Sequence, residues 1–177
     1  MTERHEYVHS SALLPGIIST TVGYRSTGAA EGVHRGLPSP YLTFIFSLDD
    51  PIVTAVDPGR LATPAAEKTS IITGGLHTAP AYVRQPPAQA GIQMAVHPLA
   101  ARALFGATTA ELGFPVDDGE DVLGPEAERL RVRLAELPDW PAQFLLLRDY
   151  LRRRVGDGDL GAGVRPEITE AWTWLAR

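Results

Sequence analysis

The spacing of apolar positions changes once along the chain, at Pro98. Before it, apolar and polar residues alternate. Leu42, Phe44, Phe46 and Leu48 are interleaved with Thr43, Ile45 and Ser47, the clearest strand pattern in the sequence. Successive side chains of a strand point to opposite faces, so a period of two marks a ribbon with one buried side. The same reading predicts strands at residues 16–24, 69–73, 82–85 and 92–96, the last with Ile92, Met94 and Val96 against Gln93 and Ala95. Asp49, Asp50 and Pro51 predict a turn, with residues 52–56 returning as the hairpin partner of the 42–48 strand. Residues 1–13 are polar and expected to form a loose lead-in, while 28–36 and 58–67 read as loops. About seven short strands separated by Gly and Pro turns predict a small barrel or sandwich over residues 14–97.

After Pro98 the period becomes helical. Proline suits a first helical turn, where its missing N–H is not needed. Leu99, Ala103, Leu104 and Phe105 follow at helical spacing, and Gly106 can stop the helix in a left-handed conformation. Thr108 and Glu111 have the spacing of a capping box and predict a second short helix. Pro125 opens a helix carrying Ala127, Leu130, Leu134 and Leu137, and Pro138 ends it. Asp139 caps the next, whose stripe is Trp140, Phe144, Leu147, Leu151 and Val155. Residues 156–163, GDGDLGAG, read as a flexible break before a last helix opened by Pro166 with Ile168, Ala171, Trp172 and Leu175. That helix reaches Arg177 without a stop signal, the pattern expected where a longer chain is cut or naturally truncated. The fold class predicted is α+β: a strand-built part over 14–97 and a helical subdomain over 98–177.

Composition narrows the function classes. Hydrophobic residues are 44% and charged residues 21% of 177, which is a globular balance. The absence of cysteine removes disulfides, thiolate nucleophiles and Cys-based zinc sites. The opening MTERHEYVHSS lacks the apolar centre of a secretory leader, so a cytoplasmic location without a membrane partner is expected. A net charge of −5 argues against phosphate neutralisation by this chain itself, so any DNA contact is expected from elsewhere.

Catalytic signals are weak. There is no G-x-S-x-G elbow, and Gly74-Gly75 lacks the Lys and helix of a phosphate loop. Asp49-Asp50 and Asp117-Asp118 read as turn chemistry, because neighbours in a turn do not aim two carboxylates at one atom. The chain is therefore expected not to be an enzyme, with no catalytic residue and no cofactor. Arg152, Arg153 and Arg154 read as a solvated helix end complementing the dipole, with contact to DNA phosphates as the alternative. The aromatic and sulfur-bearing positions are the candidates for a ligand-lining wall: Tyr24, Phe44, Phe46, His77, Tyr82 and Met94. In a small barrel such side chains either line a cavity for one small molecule or fill the core.

The stretch GIQMAVHPLAARALFGATTAEL at 91–112, together with LPSPYLTFIFSLDDP at 37–51 and ITGG at 72–75, resembles the N-terminal domain of AraC-type bacterial transcription regulators. The resemblance runs from Leu14 to Arg177. It implies a cupin-like antiparallel β-barrel holding a small effector, and helices that mediate homodimer contact and lead towards a DNA-binding part. The junction His97–Leu112 would couple the two. Such regulators carry two helix-turn-helix units after this domain, and the chain ends before any, so DNA would be contacted only through an absent part. Metal-binding cupins present two histidines at i and i+2, which puts both imidazoles on one strand face. His34, His77 and His97 are scattered and no H-x-H occurs, so no metal site is expected. Two other readings stay open: a standalone cupin-like binding protein or enzyme, and a dimerisation module with a filled barrel.

Overall fold

A computed structural model of the chain describes residues 2–10, 13–114, 116–156 and 164–175. Its strands are β1 (Arg4–Ser10), β2 (Ile18–Thr27), β3 (Gly32–Gly36), β4 (Leu42–Ser47), β5 (Ile52–Ala55), β6 (Glu67–Thr69), β7 (Ile71–Gly74), β8 (Ala81–Gln85), β9 (Ala88–Val96) and β10 (Asp117–Asp118). They form two antiparallel sheets, ordered β1-β2-β9-β4-β7-β10 and β3-β8-β5-β6. Among the described residues no ladder joins the two, so of the expected barrel or sandwich the strands show two antiparallel sheets without a closed ring of pairing.

Three departures from the sequence reading share one cause: alternation identifies a strand with a buried side, and says little about edges or partners. The expected lead-in is β1, paired with β2 from Arg4 opposite Thr27 to Ser10 opposite Thr21. It is an edge strand of mostly exposed residues, and a polar edge discourages pairing with foreign chains. The expected loop at 28–36 contains β3, again mostly exposed. The predicted hairpin does not form. β4 lies between β9 and β7, whereas β5 pairs with β6 and β8 in the other sheet. The turn between them moves the chain from one sheet to the other, held by the Ser47 hydroxyl donating to the Asp50 carbonyl at 2.7 Å.

The helices are α1 (Ala101–Phe105), α2 (Gly119–Leu123), α3 (Pro125–Glu136), α4 (Trp140–Val155) and α5 (Pro166–Leu175). A 3-10 turn over Pro98–Ala100 precedes α1, and Gly106 ends it at φ 73. The N–H of Ala142 donates to the Asp139 carboxylate at 2.9 Å, the expected cap of α4. The capping box is half realised. The Thr108 N–H donates to Glu111 at 2.7 Å, but the bond closes a turn and no helix follows it. That bond from Thr108 also holds the Glu111 carboxyl below its ordinary range. The short helix comes later, as α2, capped by the Asp118 carboxylate accepting from Glu120 N–H at 2.9 Å. Of the predicted break at 156–163, Gly156 follows α4 as its cap, and 157–163 lie outside the described residues.

Helices α1, α2, α3 and α4 share one core with the first sheet. One cluster of buried residues joins Phe44, Phe46, Ile92 and Met94 of the first sheet with Leu104, Leu147 and Leu151 of the helices. Each such side chain, fully buried, stabilises by about 1.5–3 kcal/mol. β10, inside the helical half of the sequence, returns to the sheet with Asp117 opposite Thr73. Gly23 opens room for α4: a Cβ there would lie 2.5 Å from the Trp140 ring. The Arg25 guanidinium covers the same ring at 5.2 Å.

Candidate functional site

Strand parity gives the first sheet two unlike faces. The heavy apolar side chains, Phe44 and Phe46 of β4 with Ile92 and Met94 of β9, meet the helices. The alternate positions carry smaller or neutral polar groups: Thr20, Val22 and Tyr24 on β2, Gln93 and Ala95 on β9, Thr43 and Ile45 on β4. These sit side by side, Val22 opposite Gln93, Gln93 opposite Ile45, and Thr43 opposite Ala95. They face the second sheet, which contributes Ile52, Thr54, Val83 and Gln85. Between the sheets is a cleft of about 590 Å³, within the ~300–1,000 Å³ typical of small-molecule sites.

The cleft has two notable polar groups. Thr54 is 1% exposed and its hydroxyl has no hydrogen-bond partner. A buried hydroxyl without a partner costs free energy until something completes it. Tyr24 lies across Gly91, its hydroxyl occupying the space a Cβ would need. Burial first, and the Asp49 charge second, push its phenol from 10.0 up to about 12.

The six residues proposed from the sequence divide. Tyr24, His77 and Met94 border the cleft. The register pairs Met94 directly with Phe44, so its side chain takes the helix-facing side and is fully buried there. Phe44 and Phe46 do not line the cleft. Phe44 meets Phe105 of α1 edge-on at 5.3 Å, and Phe46 packs beside it at 4.9 Å. Their placement follows from the helices, whose apolar stripes bury the largest side chains. Tyr82 is also absent from the lining, since its neighbours Ala81 and Val83 face the cleft and alternation turns it away. His77 holds the Ala79 carbonyl through Nδ1 at 2.6 Å and lies 5.3 Å from Phe114. The residues missed, above all Thr43, Ile45, Thr54 and Gln93, did carry a signal. It is the less apolar phase of the same strands.

The junction after β9 is well tied. The His97 N–H donates to the Ile17 carbonyl at 2.7 Å, extending the ladder one residue past the strand. Its ring Nδ1 accepts from the Leu99 N–H at 3.2 Å and the ring lies 6.0 Å from Trp172 of α5. Burial lowers the imidazole's pKa below the ordinary 6.5.

A second hollow of about 540 Å³ lies in the helical layer, bordered by Arg102, Glu126, Tyr150, Arg153 and Arg154. Arg152 and Arg153 are exposed, as a solvated helix end would be, and Arg154 departs from that reading. Arg154 donates to the Leu104 carbonyl at 2.6 Å and the Leu123 carbonyl at 3.1 Å, closing the C-terminal ends of α1 and α2. Among the described residues no group of three or more His, Asp or Glu could hold a metal ion. No described helix is long and apolar enough to cross a membrane.

No protein-family model and no curated protein matches the chain. Among solved structures, a cupin domain from Bordetella pertussis Tohama I aligns with it over 51% of this chain and 92% of that one, at 10% identity and a TM-score of 0.31.

Proposed function

We propose that this chain is the effector-sensing and dimerisation part of an AraC-type transcription regulator, built as a cupin-like receiver. DNA binding belongs to a helix-turn-helix part outside the chain. In this reading it is a cytoplasmic, non-enzymatic homodimer that takes up a small molecule between its sheets. One observation carries the proposal: the strands β2, β9 and β4 present the cleft on one face and the helical layer on the other. An effector acts only through different affinities for two arrangements of the molecule. A ligand pressing on Val22, Gln93 or Ile45 moves strands whose opposite sides hold Trp140 and Phe105. His97 then passes the displacement towards α5 through Trp172.

Hydrogen exchange with and without a cleft ligand tests this. The expected result is altered exchange in α1 and α4 as well as in the strands. Binding that leaves both helices unchanged would overturn the receiver reading and leave a standalone binding protein.

A further inference from the structure

We infer that the cleft takes an uncharged small molecule with an apolar body and several hydrogen-bonding groups. The inference rests on the reading of the cleft as the receiver site, and it specifies the chemistry of what is received.

Charged residues make up 21% of the chain, yet among the described residues no Asp, Glu, Lys or Arg borders the cleft, whose basic side chains are the imidazoles of His34 and His77. While both imidazoles are neutral, a carboxylate or ammonium entering it would leave water without meeting an opposite charge, a penalty that isolated hydrogen bonds do not offset. What borders the cleft can both donate and accept while staying neutral: the amides of Gln85, Gln89 and Gln93 and the hydroxyls of Thr20 and Thr43. Tyr24 belongs to the same set, since a phenol is a neutral donor at physiological pH and burial only raises its pKa further. Apolar surface comes from Val22, Ile45, Ile52, Ile72 and Val83.

The Thr54 hydroxyl is the second, independent observation. Five buried side-chain atoms among the described residues lack a partner, on Thr21, Ser26, Thr54, Gln143 and Tyr150. Of these only Thr54 borders the cleft. It stands on β5, in the wall facing Gln93 and Ile45. A ligand group that bonds it recovers what folding left unmade.

Two probe sets of matched shape test the inference: glucose, glucuronate and glucosamine, and benzamide, benzoate and benzylamine. They are titrated at neutral pH, where both amines remain mostly protonated, and again in a His34→Gln, His77→Gln double variant that removes the bordering imidazoles, and read from the NMR signals of the Ile45 and Thr54 methyl groups. The neutral member of at least one set should move both signals and bind about tenfold or more tightly than its charged counterparts. Thr54→Val should weaken that member by about two- to tenfold, the range for one hydrogen bond, without lowering the melting temperature. Gln93→Glu, at an exposed position that does not endanger folding, should reverse the order of benzylamine and benzamide. Charged members binding as tightly as neutral ones would overturn the inference while leaving the receiver intact. Unchanged affinity in both variants would overturn it as well. If none of the six probes moves the two signals, the receiver reading falls with it.

Discussion

Tyr24 and His97 are the two residues whose ionisation the fold most usefully perturbs, and they pull stability in opposite directions along the pH scale. The Tyr24 phenol is raised from 10.0 to about 12, so between these values the folded chain keeps a proton that the unfolded chain has released. Its contribution is complete below 10 and fades as pH rises towards 12. Burial raises the Tyr150 phenol as well, so in a spectrophotometric titration these two tyrosines should ionise late, and Tyr24→Phe should remove one component of that late phase. For His97 the sign reverses. Its pKa is lowered by burial, and Nδ1 must stay unprotonated to accept from Leu99. Its contribution is therefore complete above the ordinary 6.5 and fades as pH falls below it. His97→Asn retains a capping acceptor that does not titrate. Urea unfolding at a series of pH values should show a shallower loss of stability below neutrality in this variant than in the parent.

Elements differ in how openly the sequence declares them. α3, α4 and α5 begin where Pro125, Asp139 and Pro166 say they should, because helix starts are set by local chemistry. β4 and β9 are equally plain, since each has a face that must be buried. β1 and β3 were not legible because exposed edge strands need no apolar phase. The partners of β5 were not legible either, since pairing across sheets is decided by contacts far away in sequence. For the site, the two faces of each strand could be read, but not which face the helices would claim; the aromatic phase of β4 went to the helices and left Thr43 and Ile45 to the cleft. Arg154 shows the same limit on a helix. Adjacent arginines look alike in sequence, yet Arg154 alone of the run closes two helix ends. Arg154→Ala should cost about 1–3 kcal/mol in chemical denaturation, as buried carbonyls lose their donor. Arg153→Ala, on an exposed side chain, should change stability by less than about 0.5 kcal/mol.

For the whole molecule, the proposed reading puts DNA contact outside these residues, and the balance of charge accords with it. A net charge of −5 offers no electrostatic footing on a phosphate backbone. Fluorescence anisotropy at about 0.15 M salt should find no sequence-specific DNA binding by these residues, with or without a ligand. Tight specific binding would place the reader inside the chain and undo the proposed division of labour. The indole seated over Gly23 has a practical corollary. Trp140 is 6% exposed and stands directly behind the wall that carries Val22 and Tyr24, whereas Trp174 is 73% exposed and far more open to a quencher. Iodide should silence Trp174, reach the half-buried Trp172 in part and spare Trp140, so in a Trp172→Phe background the emission that survives becomes a built-in optical gauge. A guest entering on the far side of the strand should change its intensity or wavelength, and adding Trp140→Phe to that background should erase the response, allowing occupancy to be followed without any attached dye.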